Sequence, residues 1–291
     1  MIILDGKKVA DEMKQKLKVK FAELLNQGVK PKLVIVQVGD DPASLSYVKG
    51  KIKACDTLGI EGEILKYAPD EVTTESLIKK VIELNIDASV NGILIQMPLP
   101  EHIYYPEVFK AMSPYKDVDG FTAYNLGKTF LSTDFEELAP PTPLGIIRLF
   151  EHYGIEVMGK EAVIVGVSNL VGKPLTVMLL NRRATVTTCH SKTKDLGLHT
   201  RKADILIVAV GKPFLITADM VKKDTIVVDV GINKTTKGKL IGDVDFENVA
   251  ERTSYITPVP GGVGPMTVAC LMENMYKAVK KQIKMGQIKV N

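Results

Sequence analysis

The sequence contains no tryptophan and only three cysteines, Cys55, Cys189 and Cys270. Three is an odd number, the residues lie far apart, and none has metal-ligand spacing. A disulfide framework and a cysteine-rich metal site are therefore excluded, no metal is expected, and the cysteines read as reduced, buried small hydrophobes. Aromatic residues make up only 6% of the chain, and no basic run is interleaved with them, which excludes the stacking platform that single-stranded nucleic acid needs. Neither sign of charge dominates: 38 basic and 34 acidic residues are spread throughout, for a net charge of +4. Nucleic acid is not an expected partner. No apolar run approaches the ~20 residues of a membrane span, and the opening "MIILDGKKVADEM" is interrupted by charge at Asp5, unlike a secretory leader. The expectation is a soluble, cytoplasmic protein with no membrane partner. What the chain does have is 45% hydrophobic residues over 291 positions, enough to fill real cores and more than one domain usually holds, so two domains are expected.

Apolar strand-like runs alternate with helical patterns almost from end to end, the signature of parallel βαβ construction. A first set is "KLVIVQV" (32–38), "GEILKYA" (62–68) and "NGILIQM" (91–97); a second is "EAVIVGV" (161–167), "ATVTT" (184–188), "DILIVAV" (204–210) and "TIVVDV" (225–230). Amphipathic helices are predicted over 7–28, 74–85 and 266–284. Between the two sets lies a poorly periodic segment ending in "APPTP" (139–143), which marks the domain boundary. The predicted fold class is α/β with two domains. Residues 1–139 form an N-terminal α/β substrate domain, and residues 140–265 a C-terminal Rossmann-like dinucleotide-binding domain. The last helix (266–291) returns to the first domain, since chain ends often lie close together.

"DPASLSYVKGKIKACDTLGI" (41–60) predicts a helix capped by Asp41, opened by Pro42 and closed at Gly59. At about 100° per residue, Leu45, Val48, Ile52 and Cys55 share an apolar stripe, and Lys49 and Lys53 project away from it. Lys51 lies at the edge of the stripe, in line with Ser44 and Tyr47. It reads either as a lysine whose stem covers core while its ammonium reaches water or as a half-buried amine with chemistry to do. Gly50 favours the second reading, because a mid-helix glycine sometimes marks a close approach by another group.

In "VIVGVSNLVGKP" (163–174), Gly166 directly follows a buried strand and Gly172 stands near a helix start. This is either an ordinary strand-to-helix turn or a place where backbone N–H groups and the helix dipole meet a pyrophosphate. The next strand favours the cofactor. An NAD site wants a carboxylate about 20 residues on, whereas "CHSKTK" (189–194) offers hydroxyls and lysines. Ser191 and Lys192, with help from His190, can donate to a ribose phosphate. His190 itself reads as a polar loop residue. "GKP" (211–213) and "DVGIN" (229–233) follow later strands, at the ends where open α/β sheets bind ligands, and make Gly231 and Ile232 walls for the nicotinamide half. In the first domain, "QMPLPEH" (96–102) puts Gln96 at a strand end. "KDVDGF" (116–121) sets Asp117 and Asp119 beside a glycine, where they serve either turn chemistry or a ligand.

Six motifs in order, "VGDDPASLSYVKGKIKAC", "GILIQMPLP", "KDVDGF", "PPTPLGI", "VGVSNLVGKP" and "TPVPGGVGPMT", closely resemble the bifunctional methylenetetrahydrofolate dehydrogenase/methenyltetrahydrofolate cyclohydrolase family over nearly the whole chain. The resemblance implies a folate site of Tyr47, Lys51, Gln96 and Asp119, with Lys51 moving a proton. It further implies an NADP site of Gly166, Val167, Ser168, Ser191 and Ile232, a wall from "PVPGGVGP" that brings Pro258, Gly261 and Gly262 to the substrate, and a homodimer joined through the second domains. Some members carry Arg where this chain has Val167, so preference for NADP falls to Ser191 and the lysines beside it. A shikimate-dehydrogenase type of enzyme shares the domain order but leaves "PVPGGVGPMT" unaccounted for. A cofactor sensor without turnover leaves Lys51, Tyr47, Gln96 and Asp119 idle.

Overall fold

The computed structural model describes residues 1–236 and 238–290, apart from the side chains of Pro42 and Ala43. Short Val/Ile/Leu-rich runs become parallel strands and the longer amphipathic stretches between them become helices, as burial of a sheet on both faces requires. The first half holds β1 (Ile2–Ile3), α1 (Gly6–Asn26), β2 (Lys32–Val38), α2 (Pro42–Leu58), β3 (Glu61–Tyr67), α3 (Thr74–Ile86), β4 (Gly92–Ile95), α4 (Tyr105–Ala111) and α5 (Ala123–Thr129). The second holds α6 (Pro141–His152), β5 (Glu161–Val165), α7 (Gly172–Asn181), β6 (Thr185–Cys189), α8 (Leu196–Thr200), β7 (Ile205–Val208), β8 (Thr225–Asp229), the small pair β9 (Asn233–Lys234) and β10 (Leu240–Ile241), α9 (Phe246–Ala250), β11 (Thr253–Ile256) and α10 (Val263–Lys284).

The chain divides into two compact units. One comprises Glu12–Lys128, Glu136–Ala139 and Val268–Asn291 and is built on a parallel three-stranded sheet, β3-β2-β4. Alternate residues of the central strand β2 feed two cores. Leu33 and Ile35 pack with Phe21 and Leu24 of α1, Val48 and Cys55 of α2, and Leu271 and Met275 of α10. Val34 and Val36 pack with Leu77 and Val81 of α3 and Val108 and Phe109 of α4. The edge strand β3 is largely exposed and carries Glu61 and Glu63, which hold Lys32 at 3.0 and 2.8 Å.

The other unit comprises Met1–Asp11, Thr129–Phe135 and Pro140–Thr267, on a six-stranded sheet of order β1-β11-β8-β7-β5-β6 in which every pairing is parallel. The first residues of the chain, expected with the substrate domain, form an edge strand of this sheet instead, with Ile2 opposite Tyr255 and Ile3 opposite Ile256. A two-residue strand has no period to read; its partner strand supplies the pattern. Likewise, Thr129–Phe135 joins this unit, where Asn181 Nδ2 donates to the Thr129 carbonyl at 2.7 Å. The poorly periodic segment contains α4 and α5, seven residues each, too short for an amphipathic period to show. "APPTP" opens α6, with proline in the first turn, where its missing N–H costs nothing.

Candidate active site

Helix α2 is fixed at both ends by local chemistry. The Asp41 carboxylate accepts from Ser44 N at 2.7 Å, and Gly59 leaves the helix in the left-handed conformation, φ +71°. Between these caps, Val48 and Cys55 face the core, while Lys49 and Lys53 are exposed. Lys51 is only 7% exposed, so it does not snorkel. Its Nζ donates to Gln96 Oε1 at 2.9 Å, and Gln96 Nε2 in turn donates to the Met97 carbonyl at 2.7 Å, which turns the amide oxygen toward the lysine. Burial pushes the Lys51 ammonium below the ordinary lysine range, and the Asp119 carboxylate opposes that shift. Asp119 is itself pushed up to about 6, first by burial and then by Asp117, with Lys51 working against both. Tyr47, part-buried one turn before Lys51 on the same helix, has its phenol raised by burial. A buried amine disposed to lose its proton, an amide that orients it, a phenol and a carboxylate form a set suited to proton transfer. The structure brings Lys51 to Gln96 directly and to Asp119 electrostatically.

Gly50 does not mark a close approach: a Cβ there meets nothing within 4 Å. Asp117 and Asp119, two residues apart, divide their work. Asp117 is fully buried and accepts from Thr122 N at 2.8 Å, Phe121 N at 3.2 Å and Asn125 Nδ2 at 2.9 Å, so it ties the entry of α5. Val118, between them, is tied from α10, whose Asn274 Nδ2 donates to the Val118 carbonyl at 2.9 Å and the Ala139 carbonyl at 2.8 Å.

In the six-stranded unit, β5 lies between β6 and β7, so the order of strands reverses there and opens the crevice in which such sheets bind nucleotides. Gly166 leaves β5 at φ +118°, and a Cβ on it falls 2.2 Å from the Ala209 carbonyl oxygen beyond β7; a Cβ on Gly172 falls 1.9 Å from the Gly166 oxygen. Both positions demand glycine, and the turn they make leads into α7, whose N-terminus carries no side-chain cap and suits an anion. Ser168 Oγ accepts from Val171 N at 3.1 Å, which shapes the turn. Ser191 and Lys192 are exposed just beyond β6. Asp195, the nearby carboxylate, is engaged in capping α8 by accepting from Leu198 N at 3.1 Å. Ile232 follows β8, 41% exposed. Gly166, Val167, Ser168, Ser191 and Ile232 thus all stand at strand C-terminal ends of one sheet, and the residues fit a phosphorylated dinucleotide.

Pro258, Gly261 and Gly262 also belong to the six-stranded unit, separate from the unit of Lys51. Their glycines answer a packing demand. Gly261 takes φ +108°, and a Cβ on Gly262 falls 2.6 Å from the Pro258 carbonyl oxygen. Sequence reasoning overlooked two buried carboxylates, Asp229 and Asp243, at 3% and 0% exposure. The signal for them was there, in "DVGIN" and "GDVDF", each an aspartate within two residues of a glycine at a strand end.

The profile of the tetrahydrofolate dehydrogenase/cyclohydrolase catalytic domain matches residues 4–119, and that of the corresponding NAD(P)-binding domain matches residues 140–283. The bifunctional protein FolD of Wolinella succinogenes is 51% identical over 281 residues, 96% of this chain and 97% of the relative. The crystal structure of the Campylobacter jejuni bifunctional enzyme FolD, a methylenetetrahydrofolate dehydrogenase/cyclohydrolase, superposes with a TM-score of 0.92 at 48% identity over 97% of this chain and 99% of that one. The Trypanosoma brucei dehydrogenase-cyclohydrolase complexed with NADP cofactor and inhibitor superposes at 0.93, with 32% identity over 98% and 99%. With both profiles matched in order and identity near one half along almost the full length, this chain belongs to the tetrahydrofolate dehydrogenase/cyclohydrolase family.

Proposed function

We propose that the three-stranded unit holds the folate through Tyr47, Lys51, Gln96 and Asp119, that the six-stranded unit holds NADP through Gly166, Val167, Ser168, Ser191 and Ile232, and that Lys51 is the proton-transfer group. The chain is a methylenetetrahydrofolate dehydrogenase and methenyltetrahydrofolate cyclohydrolase of one-carbon metabolism, as its family is. The single observation that carries the residue-level reading is Lys51, buried and held by Gln96 at 2.9 Å while Lys49 and Lys53 stand in solvent.

Bound NADP supplies the hydride acceptor. Loss of hydride from a methylene carbon bridging two folate nitrogens leaves a cation that both nitrogens stabilise, so the protein's task in that step is alignment. Asp119, with acceptor oxygens, is suited to the N–H edge of a pterin, and Tyr47 to its face. In the second step water adds to the cationic carbon. One of its protons passes to neutral Lys51 Nζ and on to the departing nitrogen as the C–N bond breaks. The other leaves to solvent as the formyl group forms. An ordinary lysine is nearly always protonated at neutral pH; burial moves Lys51 toward the range where an amine can accept. Gln96 fixes the direction in which Nζ points. For Pro258, Gly261 and Gly262, the motif match supports a part in folate binding beyond their packing role.

Preference for NADP over NAD rests on Ser191 and its neighbours, since the Val167 side chain has no donor for a phosphate. The three cysteines are buried and form no disulfide, in keeping with the cytoplasm, and no helix among the described residues is long and apolar enough to cross a membrane. A homodimer joined through the six-stranded unit follows from the family resemblance, and light scattering of the purified protein tests it. For the chemistry, one absorbance assay suffices: methylenetetrahydrofolate with NADP should yield methenyltetrahydrofolate, which then decays faster than in buffer, and NAD should serve less well. Better use of NAD than of NADP overturns the ribose-phosphate assignment.

A further inference from the structure

The loops beyond β7 and β8 are tied together by two interleaved carboxylates. Asp243 Oδ2 accepts from Val210 N at 2.7 Å and Gly211 N at 2.9 Å, and its Oδ1 accepts from Asn233 Nδ2 at 2.9 Å. Asp229 Oδ1 accepts from Gly231 N and Asp243 N, both at 3.0 Å, and its Oδ2 from Val244 N at 2.9 Å. Each carboxylate occupies the space of a missing side chain. A Cβ on Gly231 falls 2.1 Å from the Asp243 carboxyl carbon, and one on Gly242 falls 1.8 Å from Asp229 Oδ2. Three segments that are distant in sequence, 210–211, 229–233 and 242–244, are thereby held in one arrangement by charge-assisted bonds to backbone. Asp229 reaches a fourth, since its N–H donates to Thr257 Oγ1 at 2.7 Å.

In a doubly wound sheet with the pyrophosphate on the turn after β5 and the ribose phosphate at the end of β6, the other half of the dinucleotide runs over the loops of β7 and β8. Those are the loops that Asp243 ties, and Ile232 lies inside the tied stretch. We propose that Asp243 is a positioning residue for the nicotinamide half of the cofactor, acting through the amides of Val210 and Gly211 and the side chain of Asn233. The proposal rests on the placement of NADP given above. Asp243 touches neither reacting group. Removing its carboxylate should let the ring wander while the adenosine half stays anchored at Gly166 and Ser191, and misplacement by about 1 Å is enough to cost on the order of 10²-fold in rate.

The test is Asp243→Ala in the full chain, with 2′,5′-ADP as a probe of the adenosine half alone. The expected result is a 10- to 100-fold fall in dehydrogenase kcat, with cyclohydrolase activity and the dissociation constant of 2′,5′-ADP both within about twofold of wild type. If the alanine variant does not fold, Asp243→Asn keeps the packing and one acceptor, and should show the same split with a smaller fall. Equal losses of both activities, weakened 2′,5′-ADP binding, or an unchanged kcat each overturn the proposal, since each indicates general support of the fold or no role. A wild-type protein that does not bind 2′,5′-ADP instead overturns the cofactor placement.

Discussion

Both units bury aspartates, and they use them in opposite ways. In the three-stranded unit Asp119 is pushed up to about 6 by burial and lies in the field of the Lys51 ammonium, which is itself pushed down. In the six-stranded unit Asp229 is also pushed up to about 6 by burial, but backbone N–H groups of Gly231, Asp243 and Val244 surround it. Two titratable side chains that burial shifts toward their neutral forms are suited to moving protons. A carboxylate with both oxygens engaged by N–H donors is suited to a scaffold. The first arrangement is suited to chemistry by side chains; the second is suited to presenting backbone and loops to a ligand that brings its own chemistry. The contrast repeats within six residues of sequence. Asp117 accepts from Thr122, Phe121 and Asn125 and holds a turn, while Asp119 is set against the charge of Lys51.

The largest effect is expected at Lys51. Lys51→Met should lower cyclohydrolase activity by about 10²- to 10⁴-fold, the usual worth of a positioned acid–base group, and Lys49→Met and Lys53→Met should stay near wild type. Similar losses at all three lysines in the methenyltetrahydrofolate decay assay would mean that the field of the helix matters and the buried amine does not.

On the other side of the comparison, Ser191→Asp should alter the dehydrogenase and leave the cyclohydrolase nearly untouched. A carboxylate removes a donor to the ribose phosphate and repels it, yet accepts from the free ribose hydroxyl of NAD. With charge-assisted bonds worth ~1.5–3 kcal/mol, the ratio of kcat/KM for NADP to that for NAD should fall roughly tenfold to a hundredfold. An unaltered ratio moves the phosphate elsewhere.

The smallest expected effect is on stability. Asp119 has a folded pKa of about 6, above the ordinary carboxylate value. Ionising it therefore favours the unfolded chain: stability is fully present below about pH 4 and is lost as pH rises through 6. Asp119→Asn escapes that loss. Thermal unfolding should show the variant more stable than wild type at pH 8, by something on the order of 1 kcal/mol or about 2–4 °C, with the advantage gone by pH 4, while folate binding weakens. A variant less stable than wild type at pH 8 would show that the attraction of Lys51 outweighs burial.

Much of this was legible from residues alone because it is local. The buried runs of β2, β5, β7 and β8, the caps of α2 at Asp41 and Gly59, and the Gly166 turn all rest on period, propensity and steric demand within a few positions. So does the separation of Lys51 from Lys49 and Lys53, which follows from 100° per residue. What the tertiary structure decided concerns partners distant in the chain. That Ile2 and Ile3 join the second sheet depends on Tyr255 and Ile256. The orientation of Lys51 depends on Gln96, 45 residues on, and the scaffold role of Asp243 on Val210 and Gly211. Asp117 and Asp119 look alike in "KDVDGF" and differ only in what surrounds them. Burial and hydrogen-bond saturation are set by the whole packed unit, so residue type and spacing can nominate a titratable group, and only its folded neighbours decide whether it holds the backbone or acts on a substrate.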